Sequence, residues 1–218
     1  MKNLDQRYQI IEHSLKLNST NLSPLRSGNI SLRAEQDNIQ GYLITPSGKK
    51  YETLKPEDIV FMGLNDEEEK NDSANKPSSE WRFHRDIYVN KKEAQAIVHA
   101  HSPHATAVSS HGKPIPPFHY MIALAGGDDI KCAEYATFGT KELSKNVIIA
   151  LENRSACLMS NHGQVAFGKN LEDAFELAQE VENICLQYIN AIRIGIPKLL
   201  SKKEMKIVLD KMKNYKKD

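Results

Sequence analysis

The sequence predicts an α/β fold on a mixed, largely antiparallel sheet, and three observations carry that reading. Apolar stripes at helical spacing recur along the chain, most completely after Asn170. Short β-branched and aromatic runs, bounded by turn residues, fall between those stripes. The intervals between the runs are irregular, and no internal repeat is visible.

Taken in order, Leu4, Tyr8, Ile11 and Leu15 share one face of an expected helix over residues 4–17. Asn29 to Arg33 alternates, Tyr42 to Thr45 ends at Pro46-Ser47-Gly48, and Asp58 to Leu64 adds a third run, together a small antiparallel sheet. Residues 65–77 are almost wholly polar and read as a solvated loop. Ser79 is placed to cap a helix through Trp81 and Ile87 to Asn90. Ala96 to His101 reads as a strand, and Ser102-Pro103 as a cap and first-turn proline opening another helix.

Thr140 to Asn153 is expected to be helical on Leu143, Val147 and Leu151, and Ser155 to Ser160 to be a strand ending at Asn161-His162-Gly163. Asn170 caps a long helix with the stripe Leu171, Ala174, Phe175, Ala178, Val181, Cys185, Tyr188 and Ile192, closed by Gly195 and Pro197. Ser201 and Glu204 form a capping box for a last helix.

The 218 residues read as one domain, 1–218. A chain of this size buries roughly 70% of its unfolded surface and needs no structural metal, so a bound metal would point to function. With 29 Lys and Arg against 28 Asp and Glu, the formal charge is +1, which argues against a nucleic-acid surface. Cys132, Cys157 and Cys185 form neither a CxxC pair nor a disulfide framework and read as reduced thiols. The first residues hold no apolar leader core, and runs such as Val147 to Leu151 are too short to span a bilayer. A soluble, cytoplasmic protein with no membrane partner is expected.

His99 and His101, two apart on a strand, present imidazoles on one side, and His162 arrives from another strand end. Three such ligands would hold a zinc ion, one per subunit, and leave a position open for a substrate oxygen. Eight histidines in a chain of this length give about 0.3 His-x-His pairs by chance, so the pair alone is weak. The surrounding strings carry more weight.

Ser27-Gly28-Asn29, Thr45-Pro46-Ser47-Gly48, Pro77-Ser78-Ser79-Glu80-Trp81-Arg82-Phe83-His84, His99-Ala-His101 and Asn161-His162-Gly163 together resemble the class II aldolase/adducin family. His119-Tyr120-Met121-Ile122-Ala123, Gly126-Gly127 and Tyr135-Ala136-Thr137-Phe138-Gly139-Thr140 extend the likeness across residues 5 to about 215. The resemblance implies a three-layer αβα fold and a homotetramer with active sites between subunits. It also implies zinc-dependent, reversible cleavage of a ketose 1-phosphate to dihydroxyacetone phosphate and an aldehyde.

By the same resemblance, Glu80 is the catalytic acid/base and Tyr120 exchanges a proton with the aldehyde oxygen. Gly28, Asn29, Ser47, Gly48, Ser78 and Ser79 match phosphate-binding positions, where small residues admit backbone N–H groups and hydroxyls donate. Phe138 and Tyr215 match the aldehyde pocket. His13 and His111 read as surface residues, and His84, His104 and His119 as packing residues or supports for a ligand. Leu25-Arg26 departs from the family pattern, which leaves Arg26 either a charged phosphate contact or a solvated side chain. The same scaffold hosts sugar-phosphate 4-epimerases, a methylthioribulose-phosphate dehydratase, other deoxy-pentulose 1-phosphate aldolases and non-catalytic adducin-type domains. Ser78-Ser79-Glu80 differs from the Ser-Ser-Asp of the epimerases, and the full histidine set differs from adducin-type domains.

Overall fold

The computed structural model describes residues 1–65 and 75–215, with side chains as far as Lys213. Among these residues seven strands form one sheet: β1 (Asn29–Gln36), β2 (Ile39–Ile44), β3 (Val60–Gly63), β4 (Ala96–Ala100), β5 (Cys132–Ala133), β6 (Ala156–Met159) and β7 (Gly163–Gly168). Their order is β3-β2-β1-β4-β7-β6-β5, and every neighbouring pair is antiparallel except β5 with β6. The mixed, largely antiparallel sheet expected from the sequence is therefore present. The three runs expected to form a small sheet become one flank of a larger one.

Among the described residues six α-helices cover both faces: α1 (Leu4–Ser19), α2 (Trp81–Asn90), α3 (Pro103–Ser109), α4 (Lys141–Ala150), α5 (Leu171–Ile194) and α6 (Lys202–Tyr215). Side chains alternate across a strand, and β4 shows the result. Ala96, Val98 and Ala100 pack with α1, α3, α5 and α6, while Ile97 packs with α2 and α4. Two apolar cores separated by one sheet make the αβα layering, and the face shared with α2 carries His99.

Most boundaries follow local chemistry. Thr140 and Asn170 cap α4 and α5 by accepting from Leu143 N–H at 3.2 Å and Asp173 N–H at 2.8 Å, and Ser201 accepts from Glu204 N–H at 3.1 Å ahead of α6. Ser79 does not cap α2. Glu80 occupies that position, with Ser78 O accepting the Trp81 N–H. The apolar stripe of α5 is buried as far as Cys185, but Ile192 is exposed where the helix runs past the sheet.

The apolar face expected for α1 is on the wrong side. Leu4, Tyr8 and Leu15 are exposed, whereas Arg7, Ile10, His13, Ser14 and Leu17 are buried. The buried polar groups are satisfied: Arg7 donates to the carbonyls of Lys2, Pro56 and Ile59, and Ser14 Oγ to Ile10 O at 2.7 Å. His13, expected at the surface, bonds Gln9 O and Glu172. His111 is exposed as expected. Most of the polar loop 65–77 lies outside the described residues.

Candidate active site

Antiparallel pairing places the first residue of β1 opposite the end of β4, with Asn29 facing His99, and β7 on the other side of His99 at Val165. His101 lies one residue beyond β4, and His162 in the tight turn from β6 to β7, where Asn161 adopts a positive φ of 54°. Two glycines let the backbones meet there. A Cβ on Gly163 would run into Ala100 O, and one on Gly28 would stand 2.6 Å from His99 O.

The result is a compact donor cluster. One ligand atom each from Glu80, His99, His101 and His162 lies within 4.8 Å of all the others. The three imidazoles stand nearly perpendicular to one another, with ring centroids 4.7–4.9 Å apart. Glu80 Oε2 is 3.0 Å from His99 Nε2 and Oε1 is 3.1 Å from His162 Nε2. His99 Nδ1 lies 2.8 Å from Gln164 O, which can only accept, so the neutral ring carries its lone pair on Nε2, facing the cluster. His99 Nε2 and His101 Nε2 are 3.0 Å apart. At that distance a proton on His101 Nε2 can be shared with the His99 lone pair, and a cation that displaces it meets both nitrogens.

Electrostatics agree. Burial pushes the Glu80 carboxyl upward, but the closeness of His99 and His162 holds it far below the usual carboxylate range. Burial, helped by His99 and His162, pushes His101 down to about 3, so its imidazole is neutral. Glu80 Oε1 is buried and, despite its closeness to His162, has no aligned hydrogen bond. An orphaned carboxylate oxygen beside three imidazoles fits a divalent metal, and the donor set suits zinc chemistry.

The glycine- and serine-containing segments converge beside this cluster. Thr45 N–H bonds Ile30 O, Ser78 N–H bonds Thr45 O, and Ser47 N–H bonds Lys76 O, each at 3.0–3.1 Å. Arg26 Nη1 donates to Gly48 O at 2.8 Å, and Tyr51 OH to Gly28 O, so the turns holding Gly28 and Gly48 are tied. Ser47, Gly48 and Ser79 are exposed, while Gly28, Asn29 and Ser78 are buried. Asn29 differs from the other expected phosphate donors because its amide already donates to Glu80 Oε2 at 2.9 Å.

A cleft of about 300 Å³ opens over the cluster, with Ser27, Ser79, Glu80, His101, His162 and Phe138 among its walls. Tyr135, Ala136 and Asn161 also line it, and sequence reasoning gave them no role although the strings holding them stood out. A larger hollow of about 820 Å³ lies along α5 with Lys169, Asp173, Glu176 and Glu180 on its rim. Its acidic rim and lack of imidazoles suit it poorly to an anionic substrate. Tyr120, 51% exposed at the start of the 3₁₀ segment Tyr120–Ala125, does not line the cleft. The Tyr215 side chain lies outside the described residues. His104 pairs with Glu182 rather than with the cluster, and Cys132, Cys157 and Cys185 are free thiols, the last two buried.

This sheet, with three strand-end histidines beside the carboxylate of a residue that opens a helix, defines a metal-dependent enzyme scaffold. The family described as Class II Aldolase and Adducin N-terminal domain matches residues 8–189, and the chain belongs to it. It is 44% identical over 209 residues to the 5-methylthioribulose-1-phosphate/5-deoxyribulose-1-phosphate aldolase of Rhodospirillum rubrum, spanning 96% of this chain and 91% of that one. An L-fuculose phosphate aldolase of Escherichia coli is 46% identical over 208 residues, covering 95% and 94%. Among solved structures, an L-fuculose 1-phosphate aldolase superposes with a TM-score of 0.90 at 38% identity, covering 98% of each chain.

Proposed function

We propose that this protein is a zinc-dependent class II aldolase, an aldehyde-lyase that reversibly cleaves a ketose 1-phosphate to dihydroxyacetone phosphate and an aldehyde. The observation that carries the reading is a buried carboxylate inside a three-histidine donor set, at the floor of a cleft bordered by converging serine and glycine turns. L-fuculose 1-phosphate, giving lactaldehyde, is the leading substrate. A second reading, a 5-deoxyribulose or 5-methylthioribulose 1-phosphate, is favoured by the likeness to the Rhodospirillum rubrum enzyme over nearly its whole length.

His99, His101 and His162 would hold the ion, with Glu80 close enough to complete the shell in the resting state. When bound, it supplies Lewis-acid stabilisation of the charge left on oxygen as the C–C bond breaks. Glu80 exchanges a proton at the carbon next to the carbonyl, and its position at the cleft floor matches that work. Ser47, Ser78 and Ser79, with Gly28 and Gly48, hold the phosphate. The Ser47 and Ser78 N–H groups are engaged in joining the turns, so hydroxyls do more of the binding there. Arg26, already on Gly48 O, would be the charged contact to the same anion. The Asn29 amide keeps a second N–H for the phosphate while holding Glu80 with the first.

Tyr120 exchanges a proton with the aldehyde oxygen from a neighbouring subunit of a homotetramer, which its exposure and its absence from its own cleft support. Phe138 and Tyr215 shape the aldehyde pocket. Residues 1–218 act as one cytoplasmic domain; among the described residues no helix is long and apolar enough to cross a membrane. Product analysis with L-fuculose 1-phosphate and 5-deoxyribulose 1-phosphate side by side, on protein of measured zinc content, tests the reading. Cleavage of neither by zinc-loaded protein overturns it.

A further inference from the structure

Beneath Glu80 a buried polar ladder runs into the core between α2 and β1. Glu80, His84 and Tyr88 repeat every four residues on one face of the helix, and Asn29 and Ser31 are two apart on one face of the strand. The spacings match: four helical residues rise about 6 Å and two strand residues about 6.7 Å. The five side chains therefore interleave. Asn29 Nδ2 donates to Glu80 Oε2 at 2.9 Å, and Asn29 Oδ1 meets His84 Nε2. His84 Nδ1 lies 2.7 Å from Ser31 Oγ, which lies 2.8 Å from the Tyr88 hydroxyl. All five are buried.

The proton positions follow from the acceptor at the top. An ionised Glu80 accepts only, so Asn29 must turn its amide nitrogen to it and its oxygen to His84. That oxygen accepts only, so His84 carries its proton on Nε2. Its Nδ1 then takes the Ser31 proton, and Ser31 accepts from Tyr88. Every donor points toward Glu80, a polarised chain in a low-dielectric interior. Burial, with His99 acting in the same direction, pushes His84 down to about 3, which agrees with a neutral ring.

We propose that His84 is a positioning residue: through Asn29 it pins Glu80 Oε2 and so fixes the orientation of the carboxylate that exchanges the proton with substrate. Ser31 and Tyr88 set the His84 tautomer and so act one and two steps further away. The proposal rests on Glu80 being the proton carrier.

The first measurement is the His84 tautomer, by long-range nitrogen–proton NMR of histidine-labelled, metal-free protein. The Nε2–H form is expected, and an Nδ1–H form overturns the ladder whatever the activity. The second compares His84→Phe and His84→Gln, with elemental analysis of each. Loss of the donor in His84→Phe is expected to lower kcat roughly 10–100-fold while metal stoichiometry is kept and KM for the ketose phosphate stays within about twofold. His84→Gln, whose amide N–H can reach Asn29, should recover part of kcat. Equal activity of wild type and His84→Phe, or a loss confined to KM, overturns the positioning role. If His84→Phe does not fold, Tyr88→Phe removes only a hydroxyl and carries the same test: a fall in kcat without change in KM supports the ladder, and wild-type kcat overturns it. Should Glu80→Gln remain active, the proton-carrier reading fails, and the tautomer measurement still reports the ladder separately.

Discussion

The two ends of the cleft are built differently. At the metal end Glu80 and His99 are at most 5% exposed, and Asn29 holds Glu80 Oε2 while Gln164 O holds His99 Nδ1. At the outer end Tyr135 and Phe138 are 63–64% exposed. The contrast teaches where each kind of selectivity resides. Chemistry common to ketose 1-phosphates needs fixed donors around charge that develops in the reaction, so it is preorganised inside one chain. Discrimination between aldehydes needs only shaped apolar contact, and under the proposed function the exposed rings at the outer end are the residues that would supply it.

The largest effects should come from the buried end. Glu80→Gln keeps the shape but cannot exchange a proton, so kcat should fall by ~10²–10⁴-fold with fold and metal content retained. Steady-state kinetics with elemental analysis measure both; loss of metal instead would assign Glu80 as an indispensable ligand. His162→Ala should lose stoichiometric metal outright, because two imidazoles and one carboxylate remain. If it binds metal as tightly as wild type, the assigned cluster is wrong.

A smaller loss, about 10²-fold, is expected for Tyr120→Phe, since a protonated tyrosine contributes at one step only. The informative experiment mixes subunits. Glu80→Gln and Tyr120→Phe proteins, each impaired alone, should regain activity when dissociated and reassembled together, because some sites then pair an intact Glu80 with an intact Tyr120. No recovery in assemblies shown to be mixed would place Tyr120 and Glu80 in the same chain's site, or Tyr120 outside any site.

Backbone closeness at the buried end gives a stability prediction of intermediate size. In Gly28→Ala the new Cβ would sit 2.6 Å from His99 O and 2.7 Å from Ser23 Oγ. Overpacking of this kind typically costs about 1–3 kcal/mol. Ser23 Oγ also accepts the His101 N–H at 3.1 Å, so the same shift should weaken metal binding. Urea unfolding and metal titration on one preparation would register both, and wild-type values in both would show that the two loops yield freely.

The same contrast governs how much was legible in the sequence. The metal end was readable because its ligands fall in short strings: His99 and His101 share a strand direction, His162 precedes a glycine, and Glu80 opens a helix. The sheet class and most helices were readable from periodicity. What failed was the partition of faces. In α1 the apolar count favoured Leu4, Tyr8 and Leu15, but the core accepted Arg7 and Ser14, whose groups bond to backbone carbonyls, Arg7 to the distant Pro56 O and Ser14 to Ile10 O, that a one-dimensional pattern does not display. β7 went unnoticed because a buried Gln164, bonded to Ser102 Oγ and Ala178 O, interrupts a short run between glycines. Asn29 was read by its loop and not by its partner across the sheet, and the Glu80–His84–Tyr88 spacing was available as a signal but needed β1 beside it to acquire meaning.

The smallest expected effect probes the exposed end and separates the two substrate readings. Phe138 is 64% exposed and lines the cleft beside His101 and His162, so its ring can touch the aldehyde half of a substrate without touching metal or phosphate donors. Lactaldehyde and the aldehydes from deoxy-pentulose phosphates differ by small groups, which apolar contacts separate by about 1–3 kcal/mol at most. Phe138→Ala should therefore change the ratio of kcat/KM between L-fuculose 1-phosphate and 5-deoxyribulose 1-phosphate by about 10-fold, with metal content and the affinity for a dihydroxyacetone phosphate analogue unchanged. A uniform drop for both ketoses would instead make Phe138 part of the common machinery. That result would erase the division between a preorganised end and a selective one, because an exposed ring would then contribute to the step the buried end is built to perform.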